Sequence, residues 1–119
     1  MHQAASLYQK TQQATVSPRQ LESRLLLKAA SRLEAISREE TPDRDALREA
    51  LAYNKKLWTI FVSAVTKEDS ELPKTVRENI TNLGLFVFKH SITAERNIES
   101  GSLKPLVNIN REVAAGLRA

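Results

Sequence analysis

Apolar residues along this chain recur every three or four positions and not every second one, a pattern that predicts helices and no strands. The first strong run opens at SPRQ, residues 17–20. Ser17 is a favourable N-cap, Pro18 suits the first helical position, and Gln20 completes a capping box. Leu21, Leu25, Ala29, Leu33 and Ile36 then follow at helical spacing. TPDRD repeats the signal for a second helix: Thr41 as cap, Pro42 as opening residue, Asp43 and Asp45 at the positive end of the helix dipole. That helix is expected to run to about Thr66, where KEDSELP interrupts it. A third is expected over about 73–94, introduced by Ser70 or Leu72 with Pro73. RNIESGS reads as a loop, and Ser102 as the cap of a last helix ending at Leu117. Residues 1–16 form a polar arm, either a short helix or a flexible lead-in, ahead of a domain over 17–119. The expected fold is all-α, a single-domain bundle of four main helices.

The stretch NKKLWTIF, residues 54–61, looks at first like a basic and aromatic surface. On a helix, at about 100° per residue, it does not stay one. Leu47, Leu51, Trp58, Phe61 and Val65 share an arc, Lys56 lies roughly opposite, and Lys55 sits at the border. Asn54 falls in the middle of the apolar arc. A buried amide without partners costs roughly 1–3 kcal/mol, so Asn54 needs one. The last helix supplies a second such amide: Asn110 falls among Leu103, Leu106, Val113 and Leu117, whereas Asn108 points outward. The two asparagines are expected to form a small polar network between the second and last helices. The other reading of Asn54 places it in a groove that a partner fills.

The third helix carries apolar residues on two sides. Val76, Ile80, Leu83 and Val87 form a core stripe, with Gly84 beside it where another helix approaches closely. Leu85, Phe88 and Ile92 form a second stripe opposite. Either this helix is central and packed on both faces, or the second stripe is an exposed contact for a protein partner or a second copy. On the first helix Leu27 lies off the apolar arc, exposed or covered by the N-terminal arm, and is a secondary contact candidate.

Composition narrows the chemistry. At 119 residues, 41% hydrophobic, with three glycines and four prolines, the chain suits one soluble helical domain. The net charge of +4 invites a nucleic-acid reading, and Arg24, Lys28 and Arg32 make a basic line at i, i+4 and i+8. The surplus is spread along the chain without a basic tail, however, which favours an ordinary solvated surface. Cysteine is absent, so there is no disulfide framework or thiolate site. The longest apolar run, LFVF at 85–88, is too short for a membrane span, and the N-terminus lacks the features of a signal peptide. His2 and His90 have no ligand-type residues at metal spacing, and no phosphate loop, HExxH or nucleophile elbow occurs. The residues point away from an enzyme and call for no metal or cofactor.

YQKT at 8–11, SPRQLESRLLLKAASRL at 17–33, LAYNKKLWTIFV at 51–62, LPKTVRENITNLGLFVFK at 72–89 and LKPLVNINREVAAGLRA at 103–119 resemble, in order, the FlaF flagellar biosynthesis regulators of alphaproteobacteria. The most specific parts are Asn54, Leu57, Trp58 and Phe61, and the pattern from Ile109-Asn110 to Gly116-Leu117. The resemblance covers nearly the full length. It implies a small cytoplasmic protein required for flagellin production and export, acting alongside the translation repressor FlbT, as a regulator or a flagellin-binding secretion chaperone. Its implied partners are flagellin, through helical terminal segments, and FlbT or the export apparatus. The alternative is a post-transcriptional regulator that touches flagellin messenger RNA directly.

Overall fold

The structure, a computed structural model, describes residues 18–97 and 103–118, and these form four helices. They are α1 (Pro18–Ser37), α2 (Arg44–Val65), α3 (Lys74–Arg96) and α4 (Lys104–Arg118). No strand occurs among the described residues. The expected all-α bundle is the fold observed. The polar arm, the proposed Ser17 and Ser102 caps and most of the RNIESGS loop lie outside the described residues.

Local signals set the helix ends, with some displacement from expectation. The α2 cap is Asp43, not Thr41, and Pro42 precedes the helix instead of opening it. The Asp43 carboxylate accepts from the Asp45 amide at 3.1 Å, and its carbonyl accepts from Leu47 N at 3.0 Å. An aspartate at this position satisfies an orphan amide and also meets the helix dipole, which a threonine two residues earlier cannot do. α2 closes at Thr66, as its sequence suggests. α3 follows Pro73 and extends to Arg96, slightly beyond the expected end, with Asn97 as its C-cap.

Helix α1 buries Ala29, Leu33 and Ile36 as expected, but its first half presents a different face from the one Leu21 and Leu25 suggest. Leu26 is 1% exposed, while Leu21, expected in the core, is 52% exposed and Leu25 is half-buried. Leu25, Leu26 and Leu27 are consecutive and point in directions about 100° apart, so all three cannot face one neighbour. The choice is made by α4, which lies antiparallel along Ser23, Leu26 and Ala30. Ser23 Oγ donates to the Ala114 carbonyl at 2.8 Å, and Asn110 Nδ2 reaches the Leu26 carbonyl at 3.3 Å. Small side chains at 23, 30 and 114 permit this close approach, and all three are buried.

α1 and α4 make the most extensive pairing, α2 packs on both α1 and α3, and α3 touches α4 only lightly. Trp58 is fully buried at the centre and meets the Phe61 ring edge-on, with centroids 5.7 Å apart. α2 and α3 run antiparallel, as two contacts show. Arg48 pairs with Glu95 at 3.3 Å near one end, and Gly84 meets Val62 and Trp58 further along. A Cβ placed on Gly84 would lie 2.6 Å from Val62 Cγ2, so the glycine marks a close helix crossing. Ile80 and Val87 of the expected α3 core stripe are buried and Leu83 is half-buried. Val76, one turn before Ile80 near the start of α3, is 37% exposed.

Candidate functional site

The two asparagines singled out by sequence meet in the core. Both are fully buried, and Asn110 Nδ2 donates to Asn54 Oδ1 at 2.7 Å. Sequence reasoning missed the third member. The Trp58 indole Nε1–H donates to Asn110 Oδ1 at 2.8 Å. A buried indole N–H nearly always finds an acceptor, and Trp58 lies one turn from Asn54 on the same arc, so this partner was open to inference. Asn110 thus joins α1, α2 and α4 through Leu26, Asn54, Trp58 and its own backbone. Asn54 Nδ2 has no partner among the described residues. The reading of Asn54 as a groove-lining residue is corrected: it is sealed among helices and has no path to a ligand.

The second apolar stripe of α3 is open. Leu85 is 53% and Ile92 50% exposed, so the expectation of a helix packed on both faces does not hold for these residues. Among the described helices, α3 rests on α2 and grazes α4, and neither covers this stripe. Phe88 differs from its stripe-mates, being half-buried and packed against the core. Leu27 is likewise half-buried against the core and lies on α1, apart from the other three. Phe86, 43% exposed, points to a different side of α3 and stacks on His90 with ring centroids 5.2 Å apart.

A cleft of about 510 Å³ lies where the end of α2 meets the start of α3, lined by Thr66, Lys74, Arg77, Glu78, Thr81 and Asn82. Thr81 and Asn82 stand one turn before Leu85 on the same helix. The cleft depends on how two helices converge after a loop, a relation that no local pattern encodes.

The basic line on α1 is only partly free. Arg24, Lys28 and Arg32 are all exposed, but the Arg32 guanidinium lies over the Tyr53 ring, 4.6 Å from its centroid. Nearby, Glu34 receives hydrogen bonds from Arg111 and from Arg38, the latter at 3.0 Å. The Arg111 contact, chiefly, holds the Glu34 carboxyl below its ordinary value. Burial instead pushes Glu22 up, with Arg19 opposing. Among the described residues no three His, Cys, Asp or Glu side chains cluster as metal ligands would, and no helix is long and apolar enough to cross a membrane.

No curated protein and no solved structure is detectably similar to the chain. A family model described as Flagellar protein FlaF matches residues 4–117. The match spans all four helices, including the buried Asn54–Trp58–Asn110 centre and the open strip of α3. The chain therefore belongs to the FlaF family of flagellar proteins.

Proposed function

We propose that this flagellar protein is a cytoplasmic, flagellin-binding export chaperone or adaptor, and that it holds a helical terminal segment of flagellin along the open side of α3. The observation that carries the reading is the pair Leu85 and Ile92. Two aliphatic side chains seven residues apart lie on one helical stripe, each about half exposed, at 53% and 50%. A helix laid in such a strip buries its own apolar stripe and that of its host together, the mode by which amphipathic helices are commonly captured. Burying a whole leucine or isoleucine contributes about 1.5–3 kcal/mol, so completing the burial of these two supplies part of that for each. FlbT and the export apparatus are further partners that the same adaptor role would engage.

Co-purification tests the reading. Flagellin should be retained by the wild-type chain, lost with Leu85→Ser/Ile92→Ser, and lost again when flagellin's terminal helices are removed. A folded double variant that holds flagellin as the wild type does would overturn the assignment of this surface. The alternative, direct contact with flagellin messenger RNA alone or with FlbT, rests on Arg24, Lys28 and Arg32. RNA binding that falls steeply with salt would favour it, since phosphate contacts release counterions.

A further inference from the structure

The open strip of α3 is framed by positive charge. Between Glu78 and Glu95 the helix carries no carboxylate, and Glu95 is taken by Arg48. On the exposed side Lys89 follows Leu85 by one turn, and Arg96 follows Ile92 by one turn. Neither cation makes an ion pair with a described residue. Lys55 adds a third. It lies one heptad from Arg48, which pairs with Glu95, and one heptad from Val62, which meets Gly84. The antiparallel register therefore sets Lys55 at the level of Lys89 and His90, on the edge of α2 that borders the strip.

We infer that this groove selects an amphipathic helix whose apolar stripe is flanked by carboxylates. The inference rests on the proposed docking role and adds the chemistry of the occupant. Two leucine-type contacts give attraction without direction. Lys89, Arg96 and Lys55 give the groove a sign, and unpaired cations beside an apolar strip disfavour a basic helix as strongly as they favour an acidic one. The same charges argue against a second copy of this chain. A symmetric antiparallel pairing of α3 centred on the strip would bring Lys89 against its own counterpart, with no carboxylate between Glu78 and Glu95 on that helix to offset it.

Two synthetic helical peptides with the same leucine stripe, one flanked by glutamate and one by lysine, test the inference on the full chain labelled with ¹⁵N. The glutamate peptide should bind about tenfold tighter at low salt, the summed effect of two or three exposed ion pairs. Its amide shifts should fall on the segment from Leu85 to Arg96, and its advantage should fade in high salt. Lys89→Glu/Arg96→Glu should reverse the preference, and Leu85→Ser/Ile92→Ser should abolish binding of both peptides. Equal binding of the two peptides, preference for lysine, absence of binding, or shifts elsewhere would overturn the inference. Flagellin provides the separating arm. If it survives the charge reversal but not the serine substitutions, the chaperone reading stands and the acidic-flank inference falls. If the glutamate peptide binds as expected and flagellin never does, the acidic-flank inference stands and flagellin is not the partner.

Discussion

Asn110 Nδ2 donates to Asn54 Oδ1 across 2.7 Å in a region sealed from solvent, and Asn110 Oδ1 accepts the Trp58 indole N–H at 2.8 Å. The two amides are unequal partners. Asn110 uses both ends of its side chain, whereas Asn54 uses only its oxygen and leaves Nδ2 without a described partner.

That inequality predicts unequal costs. Asn110→Ala removes the Trp58 and Asn54 bonds together and strands a buried indole donor, so it should cost about 2–4 kcal/mol. Asn54→Ala removes one bond and also eliminates an unsatisfied donor, and Asn110 Nδ2 keeps the Leu26 carbonyl. It should cost about 1–2 kcal/mol less than the Asn110 change. Urea unfolding midpoints of the two variants give the comparison. Equal losses would mean that Asn54 Nδ2 is satisfied in solution.

The two helical glycines should respond with opposite signs. Gly84→Ala places a methyl 2.6 Å from Val62 Cγ2, and the stiff β-branched valine cannot move far within a helix. Overpacking of this kind costs about 1–3 kcal/mol, against a helix-propensity gain of about 1 kcal/mol. A net loss is expected, and it should shrink when Val62→Ala is added. Gly116→Ala meets nothing within 4 Å and should stabilise by up to about 1 kcal/mol. Thermal unfolding of the three variants checks the pattern.

Ser23 Oγ and the Ala114 carbonyl form a buried link between α1 and α4 at 2.8 Å. Ser23→Ala should cost about 1 kcal/mol, because the methyl fits where the hydroxymethyl group stood. Ser23→Leu should cost more, since α4 lies too close for a large side chain. Denaturant titration that ranked leucine as the milder change would contradict the packing described for α1.

Two glutamates predict opposite pH responses. Glu34 is held below its ordinary value of 4.5 by Arg111, so its contribution is present above that pH and is lost as pH falls through the lower folded value. Glu34→Gln should therefore flatten the acid side of the stability profile. Glu22 is raised above 4.5 by burial, so its ionisation opposes folding and the penalty grows as pH rises past 4.5. Glu22→Gln should stabilise the neutral protein and leave the acidic one unchanged. Urea midpoints across the acidic to neutral range would show both effects.

The legible parts of this molecule were those that a single helix decides alone. Asn54 and Asn110 could be matched because an amide on an apolar arc must find another polar group, and few others were available. Leu85 and Ile92 could be separated from Ile80 and Val87 because they lie on the opposite arc of one helix. What sequence obscured was decided between helices. Three adjacent leucines on α1 offered three directions, and the line taken by α4 chose Leu26. The cleft beside Thr66 and Arg77 exists only because α3 returns along α2 after a loop. Trp58 was assigned correctly to the core, but its hydrogen bond depends on a residue 52 positions away.

The pairing of α1 with α4 has a consequence for the order of events during synthesis. Among the described helices, the one made first finds its principal partner in the one made last, and the bonds that join them span 84 to 91 residues. Local contacts within the α2–α3 hairpin can form early, but the contacts that seal the centre wait for α4. A chain ending before α4 would leave the Trp58 indole without its acceptor and Leu26 uncovered, a state open to proteolysis. Until α4 is made the core stays open, so the fold itself distinguishes chains that carry this helix from chains that stop short of it.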